Sequence, residues 1–297
     1  MIEVSVIIPT YNRKSILKSC LEALVNQDYP KDRYEIIVVD DGSTDGTQEM
    51  IEKFRPPCRF QYLRQEKRVG LPRLRNIGIK KGRGGIIIFV DSDVIVKKDF
   101  INQHMRYHRK GDVIVNGQLI YISNIKEVGK KRKGLFDISY NSFSTANVSC
   151  RRKFLIKAGG FDERLLAYGW EDLELGYRLR KLGLRKIKNP LAIGYHYKEK
   201  KAFHDLEAIC QKEKMRGKSG ALYYKKYRTL KIKLATKCNP LFFLACGLIP
   251  MGKWLNSKLG RKVLSMTSKY AYFLFVGLLK LVACHYYMEG FREGMRE

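Results

Sequence analysis

The sequence predicts an α/β protein built on a mostly parallel sheet covered by helices. Three observations carry this expectation. The runs "VSVIIPT", "YEIIVVD" and "GIIIFVD" are apolar on both faces, as strands buried between two layers must be. Segments of helical period separate them, which supplies the crossovers that parallel strands need. Each run also ends on a polar cluster: Thr10-Tyr11-Asn12, Asp40-Asp41-Gly42-Ser43 and Asp91-Ser92-Asp93. Ligands of such sheets bind beyond the carboxyl ends of the strands, so all three clusters are expected around one crevice.

The elements follow in order. After the first strand, Lys14 to Val25 places Ile16, Leu17, Leu21, Leu24 and Val25 on one helical face. The second strand enters a Gly/Ser/Thr/Asp turn and a helix from about Gln48 to Phe54. "RFQYL" reads as a third strand, "GLPRLRNIGIKK" as a helix closed by Gly82, and "GIIIFVD" as a fourth strand. Beyond Lys110 the pattern is mixed: a strand in "DVIVNGQLIYI", a basic loop in "IKEVGKKRKG", then a strand and short helix in "TANVSCRRKFLIKAGGFDERL". "GWEDLELGYRLRKLG" is an amphipathic helix with Leu175, Leu179 and Leu182 in register and a stop at Gly183. We therefore expect a first half over 1–110, a second half of the same domain over 111–215, and a distinct tail over 216–297.

Charge narrows the partners. The chain carries 58 Lys and Arg against 29 Asp and Glu, a formal net charge of +29. Such an excess attracts polyanions and makes carboxylates the scarce charge. The seven cysteines are dispersed, without a CxxC pair. That fits buried thiols in a reducing compartment better than a disulfide framework. Ile2-Glu3-Val4 starts a strand pattern at once, with no basic and apolar leader ahead of it. The catalytic part is accordingly expected on the cytoplasmic side.

The strand ends hold the chemistry. Asp91 and Asp93 lie two apart on the turn after a buried strand, a spacing that suits Mg²⁺ or another hard divalent cation. A capping carboxylate beside a surface one is the alternative. A strand-end Asp facing an aromatic ring can hold a nucleobase, and Tyr11 with Asp41 is the candidate pair. Gly42-Ser43-Thr44 permits a tight turn and caps the next helix.

"VSVIIPTYNR", "EIIVVDDGSTDGT", "GLPRLRNIGI", "FVDSDV" and "GWEDLELGYRLRKLG" resemble, in order and spacing, the family 2 glycosyltransferases of the GT-A fold. The likeness covers roughly residues 3 to 200. It implies a nucleotide-sugar donor, Mg²⁺ or Mn²⁺ on its diphosphate, and an acidic base that deprotonates the acceptor hydroxyl with inversion. By this resemblance Pro9, Tyr11 and Asp41 are base and ribose contacts. Asp91 and Asp93 form the metal site, with Asp93 the direct ligand and Asp91 either a ligand or a holder of ribose or metal-bound water. Arg75 and Asn76 stand where the family often has "ARN", with Leu74 replacing the alanine. Together with Ser92 they join the expected donor contacts. Asp172 resembles the general base. His196 is a further metal-ligand candidate, since some relatives complete the site with a histidine after the catalytic helix. Arg73 and Arg75 could stabilise the diphosphate, one of them being a solvated surface residue. Trp170 and Tyr168 would wall a sugar ring or belong to the core; His104 and His204 are expected at the surface.

From Lys214 to Met288 there is no Asp or Glu, and two apolar runs, Pro240 to Met251 and Tyr270 to Met288, interrupt the basic sequence. This favours helices lying in an anionic membrane interface, with a hairpin or packing on the core as alternatives. The expected partners are a nucleotide-sugar donor, a glycan or lipid-linked acceptor and the cytoplasmic face of the membrane, not nucleic acid. A nucleotidyltransferase is disfavoured because no GxGxR loop follows the first strand, and a dehydrogenase because GxGxxG is missing. Processive synthesis is disfavoured by the absence of QxxRW. No motif encodes the sugar, the nucleobase, the acceptor or the oligomeric state.

Overall fold

The computed structural model describes residues 1–130, 143–165, 169–199, 202–236 and 258–297. Tyr168, the basic loop beyond residue 130 and the apolar run Pro240 to Met251 lie outside the described residues. Contacts divide the chain into one unit of residues 1–163 and 171–199 and a second of residues 164–170 and 200–297.

The first unit is organised by one sheet. Strands β1 (Val4–Thr10) and β2 (Tyr34–Asp40) are buried along their whole length, as is β4 (Ile86–Val90). With β3 (Arg59–Arg64) they form a parallel set in the order β3-β2-β1-β4. Helices α1 (Lys14–Val25), α2 (Thr47–Glu52) and α3 (Leu71–Lys81) make the connections. Leu17, Leu21 and Leu24 of α1 share a core with Val4, Val6, Ile8, Ile36 and Val38. On the other face Ile79 of α3 packs with Ile7, Ile87 and Phe89. Burial on both faces is why these strands lack a polar side.

The second half of the sheet departs from the parallel pattern. After β5 (Val94–Val96) and α4 (Phe100–His108), strands β6 (Val113–Ile122), β7 (Asn147–Arg151) and β8 (Arg185–Tyr197) complete the order β4-β7-β6-β8-β5. β7 is antiparallel to β4 and β6, and β5 is antiparallel to β8. Helix α5 (Arg152–Lys157) follows β7, and α6 (Glu171–Lys181) precedes β8. The β6–β8 register shifts between Gly117 and Gln118. There the amide of Asn147 donates to the carbonyls of Gln118 and Ala192. A Cβ on Gly117 would meet the Asn147 amide at 2.3 Å, so the close approach requires glycine.

His104 corrects a sequence expectation. It lies in the core, not at the surface, bonded to the Ser149 hydroxyl at 2.8 Å and to Asn147 Oδ1 at 2.9 Å. His108 meets the same hydroxyl at 2.7 Å. Two histidines one turn apart on α4 can face the sheet because β7 offers polar side chains there. Their neutral forms are strongly favoured by burial, which brings His104 down to about 4 and His108 to about 3. His204 is exposed, as expected.

In the second unit, α7 (Leu206–Tyr227) pairs with α10 (Tyr272–Arg296), and α8 (Leu230–Ala235) and α9 (Lys258–Tyr270) lie between them in sequence. Gly217 and Gly290 let the two backbones touch: a Cβ would meet the Tyr287 carbonyl at 2.0 Å and the Lys214 carbonyl at 1.8 Å respectively. Lys214 pairs with Glu289 and Glu293, and Lys218 with Glu293 and Glu297. One face of the run Tyr270 to Met288 is therefore core, with Phe275, Leu279 and Val282 packed beside Cys210 and Leu264. Among the described residues no helix is long and apolar enough to cross a membrane. Trp170 takes the core alternative: its indole donates to the Arg216 carbonyl at 3.0 Å and lies against Tyr223 and Tyr287. Cys20, Cys58, Cys150 and Cys210 are buried free thiols. Cys284 departs from that expectation and is disulfide-bonded.

Candidate active site

The site is built at the carboxyl ends of β1, β2 and β4. In-register pairing sets Thr10 beside Asp40, and the Asp41 amide donates to the Thr10 carbonyl at 2.9 Å. Asn12, at φ 48°, is held by Ser43 and Thr44: its amide donates to Ser43 Oγ and its side chain accepts the Thr44 amide, both at 2.8 Å. Asp40 in turn accepts the hydroxyl and the amide of Ser43. The DDGS turn thus fixes the chain on both sides of Tyr11, while Pro9 is buried in β1 next to Val39.

Asp41 is buried, and one carboxylate oxygen accepts the amide of Val69 at 2.6 Å. Arg68 approaches the other oxygen at 3.7 Å while its guanidinium lies 4.2 Å over the Tyr11 ring. The Arg68 guanidinium thus bridges the Tyr11 ring and the Asp41 carboxylate.

The second cluster has a different construction. β5 begins directly after Asp93 and pairs with β8 so that Val94 faces His196. The Tyr197 amide donates to the Asp93 carbonyl at 2.9 Å, locking the two segments. His196 Nε2 then lies 3.2 Å from Asp93 Oδ1, its ring against Tyr121. Arg13, two residues after Tyr11, reaches the other oxygen of Asp93 at 2.6 Å. That contact joins the Tyr11 and Asp41 end of the site to the aspartates. Asp91, Asp93 and His196 offer ligand atoms within 4.8 Å of one another. Ser92 is buried between the two aspartates.

The two carboxyls are held differently. Burial pushes Asp93 up, but the hydrogen bond and charge of His196, with Arg13, more than offset it and hold Asp93 below the usual carboxylate range. For Asp91, which is partly buried, loss of solvation is the largest influence; Arg75 opposes it, Asp93 reinforces it, and the carboxyl ends above its ordinary range.

Arg75 and Arg73 part ways: Arg73 is exposed and Arg75 is buried. Arg75 donates to Glu171 Oε1 at 2.9 Å and to Asp91 Oδ1 at 3.4 Å. One guanidinium thereby ties the strand-end aspartate to the first residue of α6. Asp172 follows, partly exposed in the first turn of α6, and accepts the amide of Leu173 at 2.7 Å. Asn76, next to Arg75 on α3, is held by local bonds. Its side chain accepts the Phe161 amide at 2.7 Å and donates to the Phe161 carbonyl and Glu163, each at 2.9 Å. These bonds tie α3 to the chain after α5.

Arg13, Arg68 and Glu171 were not among the sequence candidates. Arg13 follows "PTYN" directly and Glu171 precedes the expected base, so adjacency was a usable signal for both. Arg68 sits in "QEKRVG", where nothing distinguishes it from the surrounding basic residues.

Residues 5–161 match the profile described as Glycosyl transferase family 2, and residues 132–202 one described as N-terminal domain of galactosyltransferase. An uncharacterized glycosyltransferase of Bacillus subtilis, YfnE, is 29% identical over 240 residues, covering 61% of each protein. A chondroitin synthase of Escherichia coli is 29% identical over 240 residues, covering 65% of this chain and 34% of that protein. A poly(ribitol-phosphate) β-N-acetylglucosaminyltransferase of Staphylococcus aureus, TarS, is 36% identical over 139 residues, or 43% and 24% of the two chains. The chain thus spans 61% or less of these curated relatives. The fold is shared with the mannosyltransferase PcManGT of Pyrobaculum calidifontis, solved with GDP-Man and Mn²⁺, at a TM-score of 0.64 and 17% identity over 97% of this chain and 86% of that one. It is shared also with TarS residues 1-349 in complex with UDP-GlcNAc, at a TM-score of 0.56 and 18% identity over 99% and 92%.

Proposed function

The chain belongs to glycosyl transferase family 2, and on that premise we propose that it moves a sugar from a nucleoside-diphosphate donor to an acceptor hydroxyl, inverting the anomeric carbon. The meeting of Asp91, Asp93 and His196 beside Tyr11 and Asp41, joined through Arg13, carries this reading. Tyr11 stacks the base and Asp41 accepts its N–H groups, a place Arg68 holds in the free protein. Two carboxylates and an imidazole suit Mn²⁺ or Mg²⁺, with the nitrogen ligand favouring Mn²⁺. Bound there, the cation supplies Lewis-acid charge to the departing diphosphate.

Asp172 takes the acceptor proton. The acceptor oxygen then forms its bond to the anomeric carbon as the bond to the diphosphate oxygen breaks and its electron pair leaves with the phosphate. The amide ends of α6 favour the Asp172 anion. Arg75 counters the charge of the adjacent Glu171, so that carboxylate does not repel the base unopposed. The relatives named for chondroitin and poly(ribitol-phosphate) favour a glycan or cell-envelope polymer as acceptor. The basic C-terminal helices favour action at the cytoplasmic membrane face.

The test is a thermal-shift screen of UDP-, GDP- and dTDP-sugars with and without Mn²⁺, because ligand binding stabilises by mass action. One donor should raise the melting temperature, more so with Mn²⁺. Asp93→Ala should lose the metal-dependent part, and Asp172→Asn should bind donor but lose turnover. No shift with any donor refutes the reading, and full turnover in Asp172→Asn removes Asp172 as the base.

A further inference from the structure

We infer that α9 and the first turn of α10 lie flat on an anionic lipid surface. This deepens the membrane part of the proposed function and gives it an address. Helix α9 has two apolar faces. One contains Leu264, fully buried in the core with Cys210, Phe275, Leu279 and Val282. The other is the stripe Leu259, Val263, Met266 and Tyr270, at i, i+4, i+7 and i+11. It faces outward: Leu259 is 68% exposed, Met266 52% and Tyr270 73%.

A helix needs only one apolar stripe to join a core, so the second is surplus to folding. It does not stop at the helix end. Beyond the break at Ala271, Tyr272 and Leu274 are exposed, and Phe273 is 89% exposed. Exposed apolar side chains gathered in this way mark an interaction site.

Charge selects the partner. Lys258, Arg261 and Lys262 of α9 and Lys280 of α10 are exposed and form no ion pair among the described residues. Glu289 and Glu293 at the far end of α10, and Glu297 just beyond it, are already paired, Lys214 with Glu289 and Glu293 and Lys218 with Glu293 and Glu297. An apolar stripe flanked by unpaired cations is what an interfacial helix presents to anionic headgroups. Tyrosines at the stripe's end suit the headgroup level. Helix α9 has 13 residues, enough to lie in an interface and too few to span one.

The test is co-sedimentation of the full chain with vesicles of phosphatidylcholine, alone or mixed with phosphatidylglycerol, at low and high salt and without donor. The chain should partition onto the mixed vesicles at low salt. Phe273→Asp and Leu259→Asp should each weaken partition about tenfold or more, since burying such a side chain is worth about 1.5–3 kcal/mol. Lys258→Gln and Lys262→Gln should each cost about fivefold, the equivalent of about 1 kcal/mol per basic residue. Both side chains are exposed, so unchanged melting temperatures certify the fold of each variant. No partition onto anionic vesicles, or partition indifferent to Phe273→Asp and Leu259→Asp, overturns the inference. So does self-association that Phe273→Asp abolishes while lipid partition is unchanged, which would assign the stripe to a second copy. Because the readout is lipid binding, its failure leaves sugar transfer standing, and loss of transfer leaves docking standing.

Discussion

Arg75 should be the most sensitive residue of the site to truncation. Its side chain is 3% exposed and its Glu171 partner 7%, so neither charge has water to fall back on. Asp91, the second partner, is 32% exposed and partly solvated. Replacing Arg75 by methionine keeps the volume but abandons a buried carboxylate. Breaking such a pair costs about 3–5 kcal/mol, a large share of the roughly 5–15 kcal/mol that holds a domain together. For a unit of this size each kcal/mol moves the melting temperature by about 2–4 °C. Arg75→Met should therefore melt about 6–20 °C lower, read by calorimetry. The abandoned Glu171 charge, rather than lost packing, is the cause. Arg75→Met with Glu171→Gln should consequently recover at least half of the loss, because the neutral amide no longer needs a counter-charge. A fall of under about 3 °C in Arg75→Met, or a double variant as unstable as the single, would refute this account.

Two further outcomes follow from the same reasoning. Burial lowers His104 to about 4 and His108 to about 3, while the unfolded chain titrates near ~6.5. As pH falls below 6.5 the unfolded state takes up protons that the folded state refuses, so stability falls with pH until the folded pKa is reached. The share of His104 is up to about 3 kcal/mol. His104→Gln should flatten the acid limb of a stability–pH curve, and an unchanged slope would contradict it. For Asn76→Ala, loss of its bonds to Phe161 and Glu163 should destabilise by about 1–3 kcal/mol with the donor-induced thermal shift retained. Normal stability with lost donor binding would instead assign Asn76 to the nucleotide site.

The amino-acid pattern alone determined the strands β1, β2 and β4, their burial on both faces, and the aspartates that end them. These follow from short-range periodicity: an apolar run without a polar side admits few other conformations. It also placed Asp172 in the first turn of an amphipathic helix. What the tertiary structure decided is which of these residues meet. Arg13 and Asp93 are 80 positions apart and touch only because β1 and β4 are neighbours. His196 reaches Asp93 only because a three-residue strand, β5, pairs antiparallel with β8, a pairing too short for any local signal. His104 is buried with its ring nitrogens satisfied because β7, antiparallel to β4 and β6, turns Asn147 and Ser149 towards it. Asn76 meets Phe161, 85 positions away, because α3 presents it there. Local sequence fixes which face of an element is apolar, whereas the partner of a polar side chain depends on strand order and register, which are set by contacts distant in the chain.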